Sequence, residues 1–211
     1  MRLPSPPLLL VTDRSQARLP LTDIVSEACA AGCRWISLRE KDLSEDEQIA
    51  LFDGLRRTAQ NWRGCTTIHG SARAAKSGGA HGVHLMAGND PIAARALLGS
   101  DALIGLSVHH PRELENLPRD VLDYVIAGPT YETESKPGYG PALGAAGIAA
   151  IAAASNVPVI AIGGITPEHV SDVTEAGAAG IAVMGAIMRS ATPGRDVARL
   201  LEVLASKTAL T

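Results

Sequence analysis

The strongest constraint on the fold is a pattern that recurs eight times: a short apolar run followed by a longer amphipathic stretch. Most of the runs are apolar throughout, as in strands that are buried on both faces. We place strands at Leu8–Thr12, Trp35–Arg39, Thr66–His69, Gly82–Met86, Leu103–Val108, Tyr124–Gly128, Pro158–Gly163 and Gly180–Gly185. Helices are predicted between them at residues 20–31, 44–62, 71–78, 90–98, 111–117, 144–154, 166–176 and 194–206.

Local signals support these helix boundaries. Ser44 followed by Glu47 fits a capping box, and Thr166 before Pro167 places a cap ahead of a proline at the first helical position. Glycines that can end a helix in a left-handed turn stand before the following strands, at Gly32, Gly78, Gly79 and Gly177. The alternation is therefore a series of strand–helix units.

Strand–helix units over this length favour a parallel sheet, and eight of them, each of about 25 residues, fit a closed barrel. We predict an α/β fold: a single-domain (β/α)8 TIM barrel over residues 1–211. An open doubly wound sheet is the alternative. That fold usually carries Gly-x-Gly-x-x-Gly after its first strand, whereas this chain continues with Thr12-Asp13-Arg14-Ser15.

Composition excludes several classes of function. The formal net charge is -3 and no basic block is present, which argues against binding to duplex nucleic acid. No apolar run approaches the ~20 residues that span a bilayer, and the first residues do not resemble a signal peptide, so we expect a cytoplasmic protein without a membrane partner. The odd cysteine count argues against a disulfide framework, and buried thiols are expected at Cys29, Cys33 and Cys65.

The ends of the last two predicted strands favour phosphate binding. Active sites of such barrels lie at the carboxyl ends of the strands, and the loops after strands seven and eight are a common phosphate site. Gly163 and Gly164 follow strand seven, and Gly185 stands at the end of strand eight. These glycines allow main-chain N–H groups to approach an anion, although they could also serve only to turn the chain.

Two further segments carry polar groups to the same end of the barrel. The loop after strand six contains Thr133, Ser135 and Lys136, a composition that suits a lid over a charged ligand, with a solvated loop as the alternative. Arg39 and Lys41 follow strand two and could meet an anionic substrate. Pairing of these two cations with Glu40 or Asp42 is equally compatible with the sequence.

Among the six histidines, two stand at strand ends. His69 ends strand three and His109 follows strand five, so either could transfer protons near neutral pH. His84 lies within a strand and is expected to be a hydrogen-bonded residue of the barrel wall. The remaining three are expected to face solvent: His81, His110 and His169.

Seven segments together resemble one family over about residues 8–190. They are residues 11–13 (VTD), 38–41 (LREK), 82–85 (GVHL), 105–109 (GLSVH), 128–130 (GPT), 133–138 (TESKPG) and 161–167 (AIGGITP). In this order they are similar to the thiamine-phosphate synthase and TenI superfamily. The resemblance implies a TIM barrel of thiamine biosynthesis, whose synthases join a pyrimidine diphosphate to a thiazole phosphate, release pyrophosphate and use magnesium.

The resemblance also implies site residues and a homo-oligomer. The thiazole phosphate would lie against Gly163, Gly164, Met184 and Gly185. The reacting groups would be covered by Ser107, Thr133, Ser135 and Lys136. Arg39 and Lys41 would lie toward the diphosphate, where positive charge favours departure of the leaving group.

Departures from the synthase pattern concern the metal site. Ser37 replaces the usual Gln, and His69-Gly70-Ser71 stands where the synthases have Asn-Asp-Arg, which removes an aspartate ligand of magnesium. A second acidic ligand falls at Asn89, with Asp90 one position away. Two carboxylates are expected to hold a magnesium–diphosphate complex. These changes resemble the TenI branch, whose tautomerase aromatises a thiazole phosphate precursor.

The sequence therefore favours a TenI-type barrel that binds a thiazole phosphate or a related phosphorylated molecule and requires no metal. Pro129 occupies the position of the tautomerase histidine, so His69 or His109 is predicted to transfer the proton, with Lys136 as a further catalytic candidate. A working synthase, with Asp90 and substrate phosphates holding Mg²⁺, is the first alternative. A non-catalytic sensor of the phosphorylated ligand is the second.

Overall fold

Eight parallel strands close into a barrel in the computed structural model, which describes residues 3–115, 120–133 and 141–208. The strands are β1 (Leu8–Val11), β2 (Trp35–Leu38), β3 (Cys65–His69), β4 (Gly82–Leu85), β5 (Leu103–Val108), β6 (Tyr124–Ala127), β7 (Val159–Ile162) and β8 (Gly180–Val183). Each strand pairs with its neighbours in chain order, and β8 closes on β1 through the pair Leu9 and Ala182. The predicted (β/α)8 barrel is confirmed, and the open sheet is excluded.

The helices surround the barrel as the amphipathic stretches predict. They are α1 (Leu21–Ala30), α2 (Glu45–Gln60), α3 (Ala72–Ser77), α4 (Pro91–Leu98), α5 (Gly144–Ala154), α6 (Pro167–Glu175), α7 (Gly185–Met188) and α8 (Pro193–Thr208). The capping box of Ser44 and Glu47 is present at the start of α2. Thr166 caps α6 ahead of Pro167, as predicted.

The apolar strands are explained by two cores that share one sheet. Inside the barrel, Leu9, Val11, Trp35 and Tyr124 pack together. The alternate residues of β1, such as Leu8, point outward into the layer between strands and helices. Because successive side chains of a strand point to opposite faces, a strand buried on both faces must be apolar at every position.

Two local predictions were wrong, and one short element was not predicted. The helix predicted at 111–117 is a 3-10 turn, Pro111–Leu114, because one turn is enough to place Leu114 against the core; residues 116–119 lie outside the described part of the chain. A second 3-10 turn, Arg14–Gln16, follows β1. Gly185, predicted as the end of a strand, begins the four-residue helix α7 instead. Elements this short carry no periodic signal.

The cysteines behave as predicted for packed thiols. Cys29 and Cys33 are buried and Cys65 is half-buried, and all three are free. The Cys33 thiol donates to the carbonyl oxygens of Leu8 and Trp35, and burial raises its pKa to about 12. Such thiols stay protonated and unreactive at neutral pH. None of the described helices is long and apolar enough to cross a membrane.

Candidate active site

A cavity of about 600 Å³ opens at the carboxyl ends of the strands. It collects predicted site residues from six parts of the chain. Its walls include Arg39, Lys41, His69, Ser107, His109, Thr133, Gly163, Gly164, Met184 and Gly185. Ser135 and Lys136 lie outside the described residues, so their predicted roles stay predictions.

The turn after β7 needs both of its glycines. Gly163 and Gly164 have φ angles of 102° and 65°, which side-chain-bearing residues rarely adopt. A Cβ on Gly163 would lie 2.9 Å from the Cα of Pro129, and one on Gly164 would lie 2.4 Å from the carbonyl oxygen of Glu132. The turn is therefore packed against the loop after β6, which fixes the direction of its main-chain groups.

Residues of two elements that line the cavity at this turn have main-chain N–H groups without a protein acceptor among the described residues. Within the described residues, the Gly164 N–H donates to no protein acceptor. Gly185 and Ala186 form the first turn of α7, whose N–H groups have no partner inside the helix, and both residues line the cavity. Amides gathered at a helix start and a glycine turn suit a phosphate group.

The cations of β2 lie on another wall of the cavity. The Arg39 guanidinium is 3.9 Å from Asp13 and 3.7 Å from the Met184 sulfur, and its side chain is largely buried. Burial lowers its pKa, and the Arg39 charge lowers the pKa of the Lys41 ammonium. Asp13 offsets part of this positive charge, and two neighbouring cations in the cavity wall favour an anionic ligand.

Glu40 does not neutralise these cations. It is buried, where it accepts hydrogen bonds from the Thr12 hydroxyl at 2.7 Å and from the Arg14 N–H at 3.0 Å. Burial raises the pKa of the Glu40 carboxyl. Asp42 pairs with Arg14 at 2.7 Å. Within the described part of the chain, the alternative in which Arg39 or Lys41 pairs with Glu40 or Asp42 is therefore not observed. Glu40 instead links the end of β1 to the end of β2.

The two histidines predicted for proton transfer both line the cavity. His109 Nδ1 lies 2.6 Å from the carbonyl oxygen of Gly128, an acceptor, so a neutral His109 carries its proton on Nδ1. Nε2 is then the basic nitrogen. The His69 ring packs against that of His84, with ring centroids 4.6 Å apart.

His84 satisfies both of its ring nitrogens, as predicted for a residue of the barrel wall. It lies 2.8 Å from the Ser107 hydroxyl through Nε2 and 3.2 Å from the Tyr124 hydroxyl through Nδ1. It is fully buried, and burial lowers its pKa to about 3. His84 is therefore neutral at physiological pH.

The residues present near β3 and β4 do not fit a magnesium site. Asp90 is exposed, lies outside the cavity wall and accepts the N–H of Ile92 as the cap of α4. Asn89 accepts the N–H of Met86. Within the described ranges, no three His, Cys, Asp or Glu side chains are grouped as metal ligands. Glu132 is the one carboxylate among the described cavity residues.

Comparison with known proteins identifies the family. A family model described as "Thiamine monophosphate synthase" matches residues 8–187. The chain belongs to this family. A relative from Geobacter sulfurreducens named "Putative thiamine-phosphate synthase" is 36% identical over 203 residues, 95% of each chain. A "Thiamine-phosphate synthase" from Salinispora tropica is 35% identical over 202 residues, 93% of this chain and 96% of the relative.

The solved structures agree with the family at the level of the fold. "Thiamine phosphate pyrophosphorylase from Pyrococcus furiosus" superposes with a TM-score of 0.82 and 26% identity, covering 94% of this chain and 95% of that one. These findings confirm the resemblance stated from the sequence. They favour the synthase alternative over the tautomerase that the departures at the metal site suggested, because the relatives named here carry synthase names.

Sequence reasoning missed one charged residue of the cavity wall, Arg189, and misjudged the exposure of His169. Arg189 follows α7, lines the cavity and donates to the Gln16 side chain. His169, expected to face solvent, is half-buried: its ring stacks on Tyr131 at 4.0 Å and its Nδ1 lies 3.0 Å from the Gly164 carbonyl oxygen. His81 and His110 are exposed, as predicted. The sequence signal that could have identified Arg189 as a cavity residue was its position four residues after Gly185.

Proposed function

We propose that this protein catalyses the synthase reaction of its family, joining a pyrimidine diphosphate to a thiazole phosphate with release of pyrophosphate. The observation that carries the proposal is a single cavity lined by two kinds of group suited to anions. One consists of the main-chain amides of Gly164 and Gly185, and the other is the cation pair Arg39 and Lys41. Two phosphorylated substrates need both groups, whereas one phosphorylated substrate needs only the first.

The roles of the residues follow from the chemistry of the leaving group. As the new bond to the thiazole forms, the bond to the diphosphate breaks and the diphosphate departs with the electron pair. The Arg39 and Lys41 side chains offset the charge that develops there, in a partly buried site where water screens less. The amides after β7 hold the thiazole phosphate still, and Ser107 and Thr133 contact the reacting groups between the two ends.

Magnesium is implied by the family, but the donor set described above does not supply two carboxylates for it. We therefore derive no step through the metal. Substrate phosphates and Glu132 are the oxygen donors that the cavity would offer to a cation. The requirement for Mg²⁺, with or without Asp90, stays a prediction, as does the homo-oligomer, which light scattering would measure.

A second candidate is the tautomerase. His109, with Nδ1 donating to Gly128 and a basic Nε2, is a proton acceptor in the cavity wall, and His69 is a second one. This activity would use the same thiazole phosphate site but not the Arg39 and Lys41 pair. Alanine substitution of each histidine tests it: unchanged tautomerisation in both variants would remove this candidate.

The deciding experiment compares the two reactions in the same protein. Purified enzyme is given both synthase substrates with and without Mg²⁺, and pyrophosphate release is measured; in parallel, the thiazole tautomer is supplied alone. We expect pyrophosphate release in the wild type and a loss of roughly a hundredfold in Arg39→Gln, since a charge-assisted contact in the transition state is removed. Conversion of the tautomer without pyrophosphate release would favour the second candidate. Binding of thiazole phosphate without turnover would identify a sensor.

A further inference from the structure

Three adjacent strands bring His84, Ser107 and Tyr124 together below the cavity. In the sheet register, His84 of β4 pairs with Gly105 of β5, which pairs with Tyr124 of β6. A Cβ at Gly105 would lie 2.1 Å from Cζ of Tyr124, so the glycine makes room for that ring. Ser107, two residues farther along β5, points to the same side and lines the cavity.

The hydroxyl of Tyr124 fixes the direction of the hydrogen bonds in this group. Tyr124 is fully buried, and among the described residues its hydroxyl has one hydrogen-bond partner, His84 Nδ1 at 3.2 Å. Burial holds the pKa of Tyr124 well above its usual value, so its O–H keeps the proton and needs an acceptor. Donation to Nδ1 satisfies it.

The hydrogen bond from Tyr124 to His84 also determines the direction of the hydrogen bond between His84 and Ser107. A neutral imidazole carries one proton, and if Nδ1 accepts from Tyr124, that proton is on Nε2. Nε2 then donates to the Ser107 oxygen, 2.8 Å away. The opposite direction would leave the buried Tyr124 O–H without an acceptor, which is costly. The Ser107 oxygen is thus used as an acceptor inside the protein, and no other partner of its hydroxyl is found in the described residues.

We propose that Tyr124 and His84 are positioning residues that make the Ser107 hydroxyl a hydrogen-bond donor aimed into the cavity. This inference rests on the proposed function in one respect: the group that accepts the hydrogen bond is an anionic oxygen of a phosphorylated substrate. A fixed donor at Ser107 favours phosphate or diphosphate oxygens over ligand N–H groups, because its O–H is directed at the ligand and one of its two lone pairs is already engaged by His84.

The first test reads the tautomer of His84 in the ligand-free wild-type protein. Nitrogen-15 NMR of the histidine rings distinguishes a proton on Nε2 from one on Nδ1. We expect His84 as the Nε2–H tautomer, neutral down to pH values well below 6. An Nδ1–H tautomer would overturn the proposal without affecting the proposed function, which is measured by pyrophosphate release.

The second test measures binding of inorganic pyrophosphate and of thiazole phosphate by calorimetry. Ser107→Ala and His84→Leu are each expected to weaken the binding of at least one of them roughly tenfold, the worth of one hydrogen bond to a charged group. Since both changes remove the same oriented hydrogen bond, the first by deleting the donor and the second by releasing its direction, Ser107→Ala in the His84→Leu background should cost little more. Additive losses would contradict the proposal.

His84→Gln is the conservative control, because its amide can accept from Tyr124 and donate to Ser107. We expect it to recover most of the affinity that His84→Leu loses, whereas equal losses in both variants would show that His84 acts only by packing. Since the tautomer is read without ligand and the affinities without turnover, failure of the synthase assay alone would leave both results interpretable.

Discussion

At the scale of single residues, the most instructive one is Asp90, because the sequence leaves its role open between metal ligand and helix cap. In the structure its carboxylate accepts the Ile92 N–H at 2.8 Å and starts α4 outside the cavity. The side chain of its neighbour Asn89 likewise accepts a hydrogen bond from a main-chain N–H, that of Met86. Both side chains are explained by local main-chain donors.

Asp90→Asn separates the two roles. Asparagine caps a helix about as well as aspartate, so the free energy of unfolding should change little. We expect the dependence of pyrophosphate release on Mg²⁺ concentration to match that of the wild type, since a residue outside the cavity does not hold the metal. A clearly raised Mg²⁺ requirement in this variant, with stability unchanged, would return Asp90 to the metal site.

Residue types and spacing were sufficient to predict which strand ends form the site, but not how the side chains pair there. The position of Arg39 and Lys41 after β2 was enough to place them at the mouth of the barrel. The hydrogen bonds of Glu40 to Thr12 and Arg14 could not be predicted, because they depend on the 3-10 turn after β1, which has no periodic sequence pattern. The link of His84 to Ser107 and Tyr124 joins three strands and depends on register. The register of these strands is known only once the barrel is closed, so it could not be read from the sequence.

At the scale of elements, the close packing between the turn after β7 and the loop after β6 fixes the turn that is proposed to bind phosphate. Gly164 has a φ of 65° and no room for a Cβ, whereas Gly79 has the same φ with nothing within 4 Å of the added atom. The two glycines therefore differ only in their surroundings. This makes Gly79 a matched control for Gly164.

We expect Gly79→Ala to lower the free energy of unfolding by about 1 kcal/mol, the cost of a left-handed alanine. Gly164→Ala should cost more, because the carbonyl of Glu132 must also move, and it should abolish tight binding of thiazole phosphate. Denaturant unfolding and calorimetry measure the two effects. If the two variants were equally stable and both bound ligand normally, this close packing would have no role in the site.

At the scale of the whole molecule, the fully buried His84 couples stability to pH. Its pKa is about 3 in the folded protein against 6.5 for an unperturbed histidine. Because the folded pKa is depressed, the contribution of His84 is fully present above pH 6.5 and is lost as pH falls toward 3. The slope is up to about 1.4 kcal/mol per pH unit.

His84→Gln removes this titration while keeping a polar side chain in the barrel. We expect the wild type to lose stability more steeply than the variant between pH 6.5 and 4, as measured by denaturant unfolding at several pH values. Comparing the two proteins cancels the contribution of the carboxylates to the pH dependence of stability, because the same carboxylates titrate in both. Parallel pH profiles would mean that His84 accepts a proton in the folded protein without a free-energy penalty, which would contradict the depressed pKa.

The proposed function requires the barrel to place two anion-binding groups at one mouth, and the amide resonances of Gly164, Gly185 and Ala186 test this most directly. They are followed in proton–nitrogen correlation spectra as thiazole phosphate is added, with the unphosphorylated thiazole alcohol as the control. We predict saturable shifts of these three amides with the phosphate and none with the alcohol. Binding of thiazole phosphate that leaves all three amides unmoved would contradict a phosphate site at the ends of β7 and β8.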